Sequence, residues 1–443
     1  VVENRLGNRL KIAAQLWSQY LQDSLTSPRQ LDQWLSLRLR AEKRFGSQDR
    51  RFYSDVLFAA ARVVTSAVFV HSIGCSAERL LQESEEKRNE LIDRFSHEVK
   101  TEEQLWAKIR QLSPESLTEA AHSTLLTTLV SSTDLGQFEN DRRAVVHYLR
   151  ARTEWTAFDY QLALIAHGIP PTWANALRQR ANTSGWTQEQ LITFLKMQNE
   201  RPPLWIRLNQ ASARERVEQD FAKHALTAEW MENQISAKVS GTFGVYQTES
   251  FKAGLFEVQD WASQQISKTV QARPGQKIWD ACAGGGGKTV AVATAMQGKG
   301  ALYASDIREH KLDEARRRCQ RAGFYNLRTL PWDGQKTPDF GKEITVNGGF
   351  DAVLVDAPCS SSGTWRRNPD ARLRISDDEK KRSLLQLQRE LVLSALRSLK
   401  PSGRLIYGTC SWCVDENEDV LRFVVESLTG STVSDVYCEL FGS

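Results

Sequence analysis

Through the first ~170 positions apolar residues recur at intervals of three and four, the pattern of helices that bury one face. Leu10, Ala13, Ala14, Trp17 and Leu21 form one such stripe, and Phe52, Val56, Phe58 and Ala59 another. Only Pro28 and Pro114 precede residue 170, so little interrupts the helical texture. The segment KRFGSQDRRFYSDVLFAAAR (43–62) predicts a long amphipathic helix with Ser47 as its N-cap. The charged run from Glu78 to Lys100 reads as solvated helix faces. Near Pro170–Pro171 and again near Pro202–Pro203 the texture changes. PPLWIRLN (202–209) predicts a strand after two prolines that cannot extend the preceding helix. Short apolar runs then alternate with helical ones as far as residue 260, which suits a small α+β module.

From Gly275 onward strands and helices alternate. Strands are predicted at 277–282, 301–306, 326–330, 351–358 and 403–410, with a sixth candidate, TVSDVY, at 432–437. Helices are predicted at 289–296, 308–322, 377–399 and 415–428. DAVLVDAP (351–358) is almost wholly apolar, as a strand covered on both faces should be. This order predicts an α/β, Rossmann-like, doubly wound and mostly parallel sheet. Ligands of such sheets bind at the carboxyl ends of the strands, near the point where strand order reverses. The expected organisation is an all-α domain over 1–170, a helical linker and small α+β module over 171–265, and an α/β catalytic domain over 266–443.

The length of 443 residues exceeds what one core usually serves, in keeping with several domains. Hydrophobic residues at 41% and charged residues at 25% exclude wholesale disorder and collagen-like repeats. No uninterrupted run of ~20 apolar residues predicts a membrane span. The opening VVENRLGN has no apolar core of a secretory signal. A net charge of +4, from 58 basic and 54 acidic residues, fits a nucleic-acid partner without demanding one. Seven cysteines, at 75, 282, 319, 359, 410, 413 and 438, are an odd number in a long chain. They point to functional thiols in a reducing cytoplasm rather than a disulfide scaffold.

Chemistry concentrates at three strand ends. DACAGGGGKT (280–289) puts four glycines after a strand and before a helix, where backbone N–H groups and the helix dipole face a ligand. A phosphate-binding P-loop would need glycine at 282, where Cys282 stands. The other reading is an adenosine-type cofactor, which calls for an acid at the end of the next strand, about 20 residues on, to bind ribose hydroxyls. Asp306 lies there, 22 residues after Gly284, and Asp333 after the third strand is placed to reach an adenine amino group. A lone carboxylate at a strand end is often a cap or a surface charge. Asp280, Asp306 and Asp333 at successive ends beside a glycine loop favour S-adenosylmethionine.

VDAPCSSSGTWRRNPD (355–370) and LIYGTCSWCVDENED (405–419) each place a thiol just past a strand. One such cysteine is most often a small buried hydrophobe. Two at adjacent strand ends facing a methyl donor have a chemical purpose. C5 of cytosine is a poor nucleophile until a thiolate adds to C6, after which C5 can take a methyl group. Asp356 is placed to hydrogen-bond the N3/N4 edge of the base. The residues alone do not order Cys359 and Cys410 as nucleophile and helper. Cys410-x-x-Cys413 without a second pair is a weak zinc or redox signal, so no metal is expected.

Taken together, these motifs resemble the RNA cytosine-5 methyltransferases of the Fmu/Sun and NOL/NSUN family, from about Pro202 to Cys438. DACAGGGGKT is similar to that family's Asp-x-Cys-Ala-Ala-Pro-Gly-Gly-Lys-Thr loop, with Gly284 and Gly285 in place of Ala-Pro. DAPCSSSGTWRRNPD, YGTCSWCVDENE and FEVQDWAS (256–263) are similar to three further segments, although Trp412, Cys413 and Val414 depart from the pattern and the family's closing Gly-Asp-Gly-Phe-Phe does not precede Ser443. The resemblance implies that Cys410 attacks C6 and that Cys359 assists product release. It also implies that Cys282, Ala283, Gly284, Gly285, Gly286, Gly287, Lys288, Asp306, Asp333 and Asp356 line the cofactor and base pockets. Lys288 would contact the cofactor or the catalytic carboxylate. The small module is expected to be RRM-like. The N-terminal helices, looser in their match, resemble the NusB-type RNA-binding domain that marks the ribosomal small-subunit methyltransferase B branch.

Trp365, Arg366, Arg367, Arg372 and Arg374 interleave an aromatic with basic residues beside the Pro-Cys motif, a pattern suited to base stacking and phosphate contact. Their bland reading is a solvated loop. Arg50, Arg51 and Arg62 offer a second basic patch. The expected activity is S-adenosylmethionine-dependent methylation of cytosine C5 in unpaired or flipped-out RNA by a cytoplasmic monomer, with ribosomal RNA favoured over transfer RNA. The competing expectation is a non-catalytic RNA-binding assembly factor on the same fold.

Overall fold

The computed structural model describes residues 2–427 apart from 27–29, 75–76, 130–136, 242 and 375–377. The sixth strand candidate and the cysteines at 75 and 438 lie outside the described residues. The chain forms two compact units. The first comprises residues 1–201 together with 360–381 and 411–414, and the second comprises 202–359, 382–410 and 415–443.

The first unit is helical, as the apolar spacing predicts. Its long central helix, Ser47–Ile73, starts one residue earlier than predicted: Gly46 holds the cap position and Ser47, the predicted cap, is the first helical residue. Gly74 ends the helix in the left-handed conformation, φ +67°, which an L side chain rarely adopts. By length and composition this helix is apolar enough to cross a membrane. Here Val56, Leu57, Ala60, Ala61 and Val64 are buried in the helical core. Reciprocal capping boxes at Thr101/Gln104, Thr156/Asp159 and Thr187/Gln190 satisfy the N–H groups that three helix starts would leave open. Helices Ala174–Ser184 and Gln188–Met197 bury Leu177, Ala181, Leu191 and Leu195 in the same core. The break in packing therefore falls at residues 201/202 rather than at the expected 170/171, because these helices have apolar faces that only the helical core covers.

The second unit opens with strands β1 (Leu204–Leu208), β2 (Thr227–Trp230), β3 (Ser236–Ser240) and β4 (Phe256–Val258), an antiparallel sheet in the order β2-β3-β1-β4. One face of it is apolar: Ile206, Leu208, Ala237, Val239 and Phe256 pack with Val217 and Phe221 of helix Arg214–Lys223. The opposite face carries Arg207, Ser236 and Glu257, which are also buried. Arg207 donates to Thr294 Oγ1 of helix Gly287–Ala295 at 3.3 Å, and Ser236 donates to Gln264 of helix Trp261–Thr269 at 2.6 Å. The sheet face on which an RRM stacks bases is here covered by the neighbouring helices. A strand order fixes architecture and not function.

The remaining strands are β5 (Lys277–Asp280), β6 (Ala301–Asp306), β7 (Leu327–Pro331), β8 (Phe350–Asp356) and β9 (Leu399–Gly408), all parallel and ordered β7-β6-β5-β8-β9. This is the doubly wound sheet that the strand–helix alternation predicts, with order reversing beside β5. Alternate residues face opposite sides. Ile278, Leu302 and Leu354 pack with Val290, Met296 and Cys319 on one side. Trp279, Tyr303 and Val353 pack with Leu391, Val392 and Val420 on the other. Trp279 is fully buried, with the rings of Phe340, Trp332 and Phe350 at 4.8, 5.0 and 5.9 Å. Trp279→Ala is expected to cost about 3–5 kcal/mol through the cavity it leaves, which urea unfolding of the purified chain would measure.

Candidate functional site

The cofactor-loop residues 282–288, the carboxylates Asp280, Asp306, Asp333 and Asp356, and the thiols Cys359 and Cys410 sit at or just beyond the carboxyl ends of β5 to β9, whereas Cys319 lies within helix Glu309–Arg321. The loop after β5 is built on its own backbone. Ala283 N–H donates to Ser305 O at 2.8 Å and Gly286 N–H to Ala283 O at 3.0 Å, so the turn closes against β6. Gly286 takes φ +81°, and an added Cβ there would come within 2.6 Å of the Ala315 Cβ. Only glycine fits that close approach. Helix Gly287–Ala295 begins immediately after and aims its N-terminus over the loop.

Asp306, at the tip of β6, accepts from Gly284 N–H at 3.0 Å and from Arg308 N–H at 2.9 Å. Burial alone would raise its pKa. The Arg308 guanidinium at 3.0 Å and the two backbone donors outweigh burial and hold the carboxylate below its ordinary range. Asp333 is exposed beyond β7, where its carboxylate caps the turn at Gln335 N–H. Asp280 ends β5, fully buried, and accepts from Thr289 Oγ1 at 2.7 Å, while its Oδ1 has no hydrogen-bond partner. Burial, reinforced by Asp356 and Asp306, pushes Asp280 up to about 7 against the Thr289 bond.

The two remaining strand ends carry the thiols. Parallel pairing of β8 with β9 sets Asp356 opposite Gly408, and Ala357 N–H donates to Gly408 O at 2.9 Å. Cys359 and Cys410 follow, and their Sγ atoms lie 3.2 Å apart. That is well beyond the ~2.05 Å of a disulfide, and both residues are thiols. Lys288 reaches across from the first turn of its helix and pairs with Asp356, Nζ to Oδ2 2.6 Å. Burial would lower the Lys288 pKa. Asp356, with smaller contributions from Asp280 and Cys410, raises it instead, so the ammonium stays charged beside the Cys410 sulfur. Such a cation favours thiolate. Cys282 differs. Burial, then the surrounding Asp280, Asp356 and Asp306, drive its pKa well up and keep it a neutral thiol.

Gln388 also belongs to this region. It is fully buried on helix Asp378–Arg397 and donates from Nε2 to Pro358 O at 2.9 Å, anchoring the Pro-Cys turn. One glutamine in a long helix gives no sequence signal of this kind.

The basic stretch is placed otherwise than expected. Trp365, Arg366 and Arg372 are buried in the helical unit. The Trp365 ring lies 5.0 Å from Trp173 and 5.4 Å from Trp412. The Arg372 guanidinium donates to Gln198 O, Asn199 Oδ1 and His167 O at 2.8, 2.9 and 3.1 Å. Arg366 reaches Glu200 O and Arg201 O, each at 3.4 Å. These oxygens of residues 167 and 198–201 take up the arginine Nη groups, and with their burial the three side chains are core and not an RNA-facing surface. Arg367 is exposed, and Arg374 is half-buried against Asp370. In the second patch Arg51 is exposed, whereas Arg62 donates to Arg366 O at 3.0 Å.

Residues 267–435 match the family described as 16S rRNA methyltransferase RsmB/F, and the family resemblance holds over that stretch. Ribosomal RNA small subunit methyltransferase B of Photorhabdus laumondii is 30% identical over 254 residues, covering 57% of this chain and 56% of that protein. The Enterobacter protein of the same name is 28% identical over 279 residues, 60% of each chain. The chain thus spans less than two thirds of the length of these curated relatives. The crystal structure of PH0851 superimposes with a TM-score of 0.64 at 21% identity over 95% of this chain and 89% of its own, a likeness of fold.

Two outcomes are expected. Because Asp280 keeps its proton in the folded state after the unfolded chain has lost it, its contribution makes stability fall as pH rises from about 4 to about 7 and level off above. Asp280→Asn should flatten that slope in urea midpoints measured from pH 4 to 8. Arg372→Met should destabilise the helical unit by about 3 kcal/mol by stranding buried carbonyls, whereas Arg367→Ala should change stability by less than about 0.5 kcal/mol. Thermal unfolding of the two variants distinguishes them.

Proposed function

We propose that this chain methylates C5 of cytosine in RNA, with S-adenosylmethionine as methyl donor, through a covalent Cys410–C6 adduct. The observation that carries the reading is the 3.2 Å separation of the Cys359 and Cys410 sulfurs beside the Lys288–Asp356 pair. The family matched over 267–435 and the names of the curated relatives favour ribosomal RNA as substrate and the bacterial cytoplasm as its place.

The donor set at the tips of β5 and β6 fits such a cofactor. Gly284 has open space where a Cβ would point, at φ +52°. Next to it the Asp306 carboxylate is covered by Arg308, a largely exposed side chain that two ribose hydroxyls can displace. When bound, S-adenosylmethionine supplies an electrophilic methyl carbon. The protein's part is to activate the base. Cys410 thiolate, held near the Lys288 ammonium, forms a C–S bond to C6 and pushes the C5=C6 electron pair onto C5. Asp356 accepts from the N4 amino edge of the base, and the Lys288 ammonium paired with it offsets the negative charge that the addition develops at N3. With the cofactor bound, the activated C5 would take up its methyl carbon, the carbon–sulfonium bond breaking in exchange. A base removes the C5 proton, the C6–S bond breaks, and the double bond returns. Cys359, adjacent to the departing sulfur, serves this release.

With cytosine-containing RNA and labelled cofactor, Cys410→Ala is expected to lose methyl transfer by on the order of 10³-fold or more. RNA carrying 5-fluorocytosine should trap an adduct that survives Cys359→Ala and vanishes with Cys410→Ala. The reverse result transfers the nucleophile role to Cys359. RNA binding with no methyl transfer by the unaltered chain establishes the assembly-factor reading instead, and comparison of ribosomal with transfer RNA decides the substrate.

A further inference from the structure

The glycine loop is gripped from outside by one helix, Glu309–Arg321. Ala315 packs against Gly286, and the Glu314 carboxyl stands 2.9 Å from where Gly285 would carry a Cβ. Arg318 does more than fill space. Its Nη1 donates to the Gly285 carbonyl at 3.0 Å. The other edge of the same guanidinium, Nε and Nη2, donates to Glu257 Oε2 at 3.0 and 2.8 Å. Glu257 is buried on β4 of the small antiparallel sheet, and Arg321 binds its second oxygen. A planar fork can serve the carboxylate and the carbonyl at once, and an ammonium cannot reproduce that geometry.

Four consecutive glycines leave this loop with more backbone freedom than any other residues would. Gly284 and Gly285 occupy the places where the resembled motif has Ala-Pro, so no pyrrolidine ring stiffens the turn. We propose that Arg318, clamped by Glu257, is a positioning residue for the cofactor: it fixes the Gly285 carbonyl and thereby the direction of the neighbouring N–H groups. The buried polar face of the small sheet is then the foundation of the cofactor loop. This inference rests on the reading of the loop as an S-adenosylmethionine site. Pre-ordering a loop strengthens binding by reducing what must be ordered on association. The effect therefore falls on cofactor affinity and not on the bond-making step.

The test is titration calorimetry of S-adenosylmethionine with the full chain, together with steady-state methyl transfer. Arg318→Met is expected to weaken cofactor binding about tenfold, raise the KM for cofactor in parallel, and leave kcat at saturating cofactor within about twofold. Amide exchange over 284–287 should quicken in the cofactor-free protein. Glu257→Gln keeps the shape of the clamp and serves if Arg318→Met does not fold, with an expected loss of about three- to fivefold. Arg316→Met, on the exposed side of the same helix, should leave all of these unchanged. Unaltered cofactor affinity in folded Arg318→Met and Glu257→Gln overturns the inference, as does a fall in kcat alone. An unsubstituted chain that binds no S-adenosylmethionine overturns the parent reading and this one with it.

Discussion

The parallel pairing of β8 with β9 is the constraint on which the candidate site depends. It sets Asp356 beside Gly408, and the backbone bond from Ala357 to Gly408 carries the register one step past the strand. From there two short turns are enough to bring Cys359 and Cys410 to 3.2 Å. A slip of one residue would send every side chain of β8 to the other face. That slip is prevented by the two apolar layers, which take Val353 and Val355 on one side and Ala352 and Leu354 on the other. The position of the sulfurs is thus inherited from the packing of valines and leucines in the interior of the sheet.

Near that pair the electrostatics set two thiols apart. Cys282 stands among carboxylates and stays protonated, whereas Cys410 is exposed and has the Lys288 ammonium nearby. Lys288 in turn is kept charged by Asp356, despite burial. One lysine therefore connects the glycine loop, from whose helix it projects, to the end of β8 and to the sulfur beyond β9. Its place one residue into the helix follows from Gly286, which lets the chain turn sharply against Ala315 before the helix begins.

Most of the α/β architecture was legible in the sequence. KIWD, ALYASD and DAVLVDAP announce buried strands through composition and length, and the glycine run announces the turn. The thiols were legible as a pair because each ends such a strand. What local patterning missed was non-local. Arg366 and Arg372 look like surface residues until the carbonyls of 167, 198, 200 and 201 fold against them. Gln388 and Arg318 sit in helices whose sequence gives no sign of the distant carbonyls they bond. The helices of 174–197 looked like a linker because two proline pairs bracket them, although their apolar faces belong to the helical core.

The discontinuity of the helical unit bears on how the chain is made. A ribosome that has translated only residues 1–201 has produced helices that still lack the indoles of Trp365 and Trp412 and the Arg372 side chain. The carbonyls of His167 and Gln198 then have no guanidinium, and Trp173 has neither indole partner. The final packing of these helices requires residues 411–414, which the ribosome adds only after the whole five-stranded sheet has been synthesised.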